Sequence, residues 1–389
     1  MNKIERQTKV HNDGMRNVAH TYSYHLNKFF SQSNGNLLIN GGTKDKRREC
    51  LLNLIKNERV NNTESVVIFS DDKILESELI ALAENGMIGR LVVCSEDYPN
   101  YDLFCKLNKN LICEYFRRLA LEKGIRDTSE LSSYIGAFLN ILSEQSPINF
   151  SAMNYFSRNK DTDIKNSAND SQSADVLISS TKGSVTARGL FNEAYEALSP
   201  ITTSECSTGI CISELIDRDY VFLINTPSYN DEFFALYFAM ELKALMNKNF
   251  LCIFDDSTFL NNETMRSIVN VMKQRQRVNV VVSCENIISV GDCDNTLKNF
   301  NRNLILLNGN TPYVDLQYVL SSFGQYTHMA PMANKNTPPR LFFTLYKGEG
   351  EAAVPFARDR VMLQEEYGNE ALLKGGSGSQ ILITKRLLT

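Results

Sequence analysis

Apolar residues along this chain fall into two patterns. Short uninterrupted runs alternate with longer stretches in which apolar residues recur near a helical period. Residues 37–40 form the first apolar run, and a glycine turn leads from it to a helix over 48–56 carrying Cys50, Leu51, Leu54 and Ile55. Residues 65–69 read as the next strand, 76–85 as a helix stopped by Gly86, and 90–94 as another strand. Strand, helix, strand at this spacing is the pattern of a parallel βαβ sheet. Runs at 219–225, 250–254, 278–283 and 303–307 resume it, separated by helices over 231–247 and 263–275. Residues 278–283 carry no polar residue after Asn279 until their end, which predicts burial on both faces. Residues 338–346 and 380–385 read as late strands, an edge hairpin, with the Gly/Ser stretch 375–379 a flexible turn or linker between them.

Between 108 and 200 the pattern is helical. Residues 111–121, 129–142 and 188–198 repeat at helical spacing, while Ser, Asn, Asp and Lys dominate 157–182, which predicts a long mobile loop. The expected organisation is a polar lead-in over 1–36, partly helical around 18–30. An α/β domain over 37–107 and 201–389 follows, with a mainly parallel central sheet and an all-helical insertion at 108–200.

Composition narrows the classes. A chain of 389 residues with 43% hydrophobic content can bury a sizeable core. A net charge of −4 argues against a dedicated nucleic-acid coat protein, though not against a ring with a basic lumen. The nine cysteines include no C-x-x-C, and Cys206 and Cys211 are the closest pair in sequence. His11, His20, His25 and His328 show no metal-ligand spacing, so no structural zinc is expected and the cysteines read as reduced. No apolar run approaches the roughly 20 residues of a membrane span, and the N-terminus lacks a signal-peptide core. A cytoplasmic protein that does not insert into a membrane is expected.

Candidate chemistry begins at the first turn. Gly41, Gly42 and Thr43 lie between an apolar strand and a helix, where a phosphate-binding P-loop would lie. In the frame G-x-x-x-x-G-K-[ST] starting at Gly41, Lys46 stands at the second glycine, Arg47 at the lysine and Arg48 at the hydroxyl position. Lys46 puts a long side chain where backbone must approach phosphate. Arg47 keeps the charge in a larger planar group, and Arg48 removes the magnesium-binding hydroxyl. These residues, with Lys44, either hold a phosphate group or form a solvated, charged helix start. The apolar run ending in Asp255-Asp256 has the Walker B pattern, in which the first acid holds Mg and the second aligns the attacking water. Arg275 and Arg277 read as trans-acting arginine fingers or as a solvated helix end.

The order of these features resembles the soluble ATPase domain of type IV secretion coupling proteins, in the HerA/FtsK group of ring-forming DNA motors. The residues carrying the resemblance are the turn from Gly41 to Arg48, Ser70-Asp71-Asp72-Lys73 after the second strand, the helical insertion and residues 209–216 leading to 220–227. Asp255, the basic run 272–277, the strand ending at Glu285 and the closing segments 356–360 and 380–385 complete it. In that family the strand ending here at Glu285 ends in a glutamine that senses the γ-phosphate. The resemblance therefore implies a P-loop NTPase-like fold whose nucleotide motifs are degraded together. It implies partners that are like subunits in a ring, an active ATPase paralogue, DNA, or secretion-apparatus proteins docking on the helical insertion.

Three readings follow. One is a catalytically degenerate binding or assembly component of a conjugative DNA-transfer or type IV secretion apparatus. Another is an active ATP-dependent motor with a non-standard site, using ATP and Mg with Asp255 and Asp256. The third is a stand-alone interaction scaffold.

Overall fold

A strand covered on both faces has to be apolar at nearly every position, and the central strands of this chain are. The computed structural model describes residues 36–61, 65–202, 210–226, 231–275, 278–286, 300, 302–307, 370–375 and 378–380. The strands are β1 (Leu37–Gly41), β2 (Ser65–Ser70), β3 (Leu91–Cys94), β4 (Val221–Ile224), β5 (Phe250–Asp255), β6 (Val278–Cys284), β7 (Arg302–Leu307), β8 (Glu370–Gly375) and β9 (Gly378–Gln380). They form one 9-stranded sheet in the order β3-β4-β2-β5-β6-β1-β7-β8-β9. Every pairing from β3 across to β7 is parallel, and β8 and β9 add an antiparallel edge. The expected α/β class with a mainly parallel central sheet is what the chain folds into.

Alternation along the strands sorts side chains onto two faces. Leu37, Ile39, Val66, Ile68, Leu251 and Ile253 meet α1 (Lys44–Asn61) and α2 (Lys73–Glu84) through Leu51, Leu54, Leu75 and Leu79. Leu38, Val67, Phe69, Phe222, Phe254 and Val280 lie on the other face, in one core with α10 (Asp231–Ala244) and α11 (Glu263–Lys273). Burying each such side chain contributes about 1.5–3 kcal/mol. Phe69 stacks on Phe254 with centroids 5.1 Å apart and meets Phe238 of α10 at the same distance.

Residues 109–198 are helical, as α3 (Lys109–Glu122), α4 (Ser129–Gln145), α5 (Phe150–Ser157), α6 (Asp161–Asn166), α7 (Ser171–Ser179) and α8 (Thr181–Leu198). Short α9 (Ile212–Ile216) precedes β4. The core of this segment is continuous with the second sheet face: Phe104, Phe116, Phe138 and Phe191 belong to the same buried cluster as Phe69 and Phe254. No helix among the described residues is long and apolar enough to cross a membrane.

Two expectations are corrected. Residues 157–182 are not a long loop but hold α6 and α7. Their polar side chains are ordered by partners that local sequence does not display. Asp161 accepts from the Tyr134 hydroxyl at 2.7 Å, Ser184 Oγ at 2.6 Å and Arg188 Nη2 at 2.6 Å. Asp170 caps α7 on Gln172 N and Ser173 N, and Ile164 and Leu177 supply buried anchors. The edge hairpin joins Glu370–Gly375 to Gly378–Gln380, so the expected turn at 375–379 overlaps both strands. The segment Glu370-Ala371-Leu372-Leu373-Lys374 has helix-forming composition, and pairing with β7 overrides it. The lead-in up to 35, the strand at 338–346 and residues 356–360 and 381–385 lie outside the described residues.

Candidate functional site

The turn after β1 is short. Gly41 (φ 86) and Gly42 (φ 66) take the left-handed conformation that glycine allows. Packing against β7 demands glycine as well: a Cβ on Gly41 would lie 2.2 Å from Leu306 O, and one on Gly42 2.8 Å from Leu306 Cβ. Helix α1 begins at Lys44, with only Gly42 and Thr43 after the strand. Thr43 caps it, Oγ1 accepting from Lys46 N at 3.4 Å while its carbonyl accepts from Arg47 N at 3.1 Å. Lys46, Arg47 and Arg48 therefore stand inside the helix rather than in a phosphate-wrapping loop. Lys46 is partly buried, which lowers its pKa.

Arg47 folds back over the turn. Its Nη1 donates to Gly41 O and Gly42 O at 3.1 Å each, and its Nη2 donates to Asp256 Oδ2 at 2.5 Å. The residue is 2% exposed. Asp256 (φ 45) sits just past β5; its N–H donates to Ser283 O at 2.8 Å and its Oδ1 accepts from Glu285 N at 3.1 Å. Arg48 is turned the other way, Nε donating to Asp72 Oδ2 at 2.6 Å and Nη1 to Asp45 Oδ1 at 2.9 Å. Asp72 also caps α2, accepting from Ile74 N at 3.1 Å. Lys44 reaches Asp71 at 3.3 Å. For Arg47 and Arg48 the expectation of a solvated helix start is overturned, because both are buried in ion pairs.

Asp255, the last residue of β5, is buried beside Ser70, whose Oγ donates to its Oδ2 at 3.0 Å. Burial, with the Asp256 carboxylate adding to it, pushes Asp255 up to about 6; hydrogen bonding and Arg47 hold it back. Ser70 Oγ also accepts from Asp72 N at 3.1 Å, so one hydroxyl links the Asp255 and Arg48 sides of the site. A shallow cleft at these strand ends is lined by Ser70, Asp71, Thr226, Asp231, Asp256 and Thr258. Of its three acids, Asp71 is paired with Lys44 and Asp256 with Arg47.

The structure brings Gly41, Gly42, Thr43, Arg47, Arg48, Asp255 and Asp256 into one constellation. Glu285 joins it through its backbone N–H, its side chain being exposed. Arg275 is exposed past the end of α11, its N–H closing on Met272 O at 2.9 Å, and Arg277 lies outside the described residues. The sequence marks Ser70-Asp71-Asp72-Lys73 only through the resemblance and does not show Asp72 and Asp71 as partners of Arg48 and Lys44. The N-cap position of Asp72 before an apolar-periodic helix was the available signal.

A magnesium-nucleotide does not fit these residues as they stand. The position of the metal-binding hydroxyl is Arg48, tied to Asp72. The guanidinium of Arg47 occupies the approach to Asp256 and the turn, and the carbonyls of Gly41 and Gly42 accept from it.

No protein-family model matches the sequence, and no curated protein sequence does. Solved structures with a similar course of the chain include the bacterial conjugative coupling protein TrwBdeltaN70 in its unbound monoclinic form (9% identity over 74% of this chain and 71% of that one, TM-score 0.46). The plasmid coupling protein TrwB in complex with ADP and Mg2+ is similar at 10% identity over 74% of this chain and 73% of that one, TM-score 0.46. VirB4 of Thermoanaerobacter pseudethanolicus is similar at 13% identity over 75% of this chain and 81% of that one, TM-score 0.49. At such identities the likeness is one of fold.

Proposed function

We propose that this chain is a catalytically degenerate, coupling-ATPase-like component of a conjugative DNA-transfer or type IV secretion apparatus, which binds and assembles rather than hydrolysing nucleotide. The assignment to such an apparatus rests on the order of motifs along the sequence. The degeneracy rests on one observation: Arg47 spans from the Gly41–Gly42 carbonyls to Asp256 and fills the approach to the turn with a protein cation. A P-loop lysine is a mobile point charge that follows phosphate, whereas this guanidinium is held on three acceptors. Asp256, the would-be water-aligning acid, is engaged by Arg47 and by Glu285 N. By the same resemblance, like subunits, an active paralogue or substrate-bearing proteins are the partners, the last docking on the helical segment.

The test is thermal unfolding of the full chain with and without millimolar Mg-ATP, beside a phosphate-release assay. The expected result is no rise in melting temperature and no hydrolysis above a blank. A rise that is lost in Asp255→Ala, or hydrolysis lost in that variant, supports an active motor with a non-standard site instead. A size measurement that shows a monomer at every concentration, with no salt-sensitive binding to single-stranded DNA, leaves only the scaffold reading.

A further inference from the structure

Away from the nucleotide-site position, Cys105 and Cys211 are neighbours in the gap between the segments 101–106 and 210–214. They come from opposite ends of the helical segment, Cys105 before α3 and Cys211 just before α9. Both are free thiols; Cys211 is fully buried and Cys105 half-buried, which makes Cys105 the more accessible of the two.

The approach of the two segments is built by more than these thiols. Asp102 N donates to Ile210 O at 2.8 Å, and Ile212 N donates to the Tyr101 hydroxyl at 3.2 Å and to Glu241 Oε1 at 3.1 Å. Lys106 pairs with Glu214 at 3.4 Å across the same gap. Both neighbours of Cys105 take left-handed backbone conformations without being glycine, Phe104 at φ 63 and Lys106 at φ 62. Such a conformation is strained for a side-chain-bearing residue and persists only where the surroundings impose it. Here they do. The Phe104 ring is locked among Tyr115, Phe116, Phe150 and Tyr237, and its N–H donates to the Tyr237 hydroxyl at 3.0 Å.

We propose that Cys105 and Cys211 form an oxidisable dithiol site that reacts with a low-molecular-weight disulfide and closes to an intramolecular disulfide. With oxidised glutathione, the deprotonated Cys105 sulfur attacks one glutathione sulfur. The glutathione S–S bond breaks, one glutathione thiolate leaves, and a mixed disulfide forms on Cys105. The Cys211 sulfur then attacks the Cys105 sulfur, the mixed disulfide breaks, and the second glutathione thiolate leaves. The two protons lost by the cysteines end on the two glutathione thiols; the cysteines are oxidised by two electrons and glutathione disulfide is reduced by two. Burial pushes both thiols up, Cys105 to about 11 with Asp102 adding and Lys106 opposing, so the first attack is slow. Closure ties the chain entering the helical segment to the chain leaving it.

The test incubates the full-length protein in graded mixtures of reduced and oxidised glutathione, blocks free thiols by alkylation and maps peptides by mass. The expected product is a Cys105–Cys211 crosslinked peptide, formed equally in Cys206→Ser, with Cys113 alkylated throughout. Cys211→Ser stops at one glutathione on Cys105, and Cys105→Ser gives neither product. The oxidised wild type melts at a higher temperature than the reduced protein, and Cys105→Ser shows no such difference. Cys105→Ser, at the half-buried member of the pair, keeps the test intact if substitution of buried Cys211 prevents folding. Recovery of alkylated Cys105 under oxidising conditions, or pairing of Cys105 with Cys206, overturns the proposal.

Discussion

Arg47 and Asp256 are joined at 2.5 Å across the top of the sheet, one from the end of the first turn of α1 and the other from just past β5. In a P-loop enzyme the equivalent gap is spanned by a metal-nucleotide. Here protein charge spans it, and Arg48–Asp72 and Lys44–Asp71 continue the same ladder toward α2.

The two ends of the Arg47–Asp256 pair differ in burial, and so should their variants. The Arg47 side chain is 3% exposed and that of Asp256 is 23% exposed. Asp256→Ala leaves a buried guanidinium without its counter-charge and is expected to cost about 3–5 kcal/mol. Arg47→Met leaves a partly hydrated carboxylate and costs less, about 1–3 kcal/mol. The double variant costs less than the sum, which urea denaturation of all four proteins measures. Single-variant losses that simply add contradict the pairing.

Asp255 makes stability depend on pH. Its folded-state pKa, raised to about 6, lies above the unfolded value, so the native state binds the proton more tightly. Stability is therefore greatest below the unfolded value and falls as pH rises from about 4 to about 6, staying lower above that. Asp255→Asn removes the ionisation and is expected to stabilise by about 1–3 kcal/mol near neutral pH, the gain shrinking toward about pH 4. A gain that grows on acidification would contradict the assignment.

The core of the sheet is readable from the sequence because the interiors of β2 and β5 are continuous apolar runs and β6 carries three consecutive valines after Asn279, all in a parallel sheet. The turn after β1 was found in the right place, but its length was not readable. Gly41, Gly42 and the charged residues fit a P-loop frame by spacing, while the start of α1 at Lys44 puts Arg47 a turn inside the helix. Whether an arginine points to solvent or back over its own turn depends on Asp256, 209 residues away. The same limit hid α6 and α7, whose polar residues are satisfied by Tyr134, Ser184 and Arg188 from other helices. It also hid the pair Cys105 and Cys211, because sequence proximity favoured Cys206.

The order of 157–182 rests on Asp161. Donors from Ser184, Arg188 and Tyr134 outweigh its partial burial and hold the carboxyl below its usual range. Asp161→Ala removes the acceptor of all three and is expected to cost about 2–4 kcal/mol. Limited proteolysis should cut the variant first within 157–182 and leave that stretch intact in the wild type. Early cutting of the wild type there would favour a loop.

Glycines in α8 separate packing from propensity. A Cβ on Gly183 would lie 2.5 Å from Glu130 O and 2.8 Å from its carbonyl carbon, so Gly183→Ala pushes α8 off α4 at a cost of about 1–3 kcal/mol. A Cβ on Gly189 meets nothing within 4 Å, and Gly189→Ala is expected to stabilise the helix by about 0.5–1 kcal/mol. Thermal melts of the two variants should move in opposite directions; equal shifts would contradict the close approach of α4 and α8.

The central claim, that Arg47 closes this position in place of a nucleotide, is tested most directly by titrating a fluorescent ATP analogue, with magnesium, into the full chain. The account predicts no saturable signal up to millimolar concentration in the wild type and none in Asp255→Ala. Saturable binding to the wild type that disappears in Asp255→Ala would contradict it.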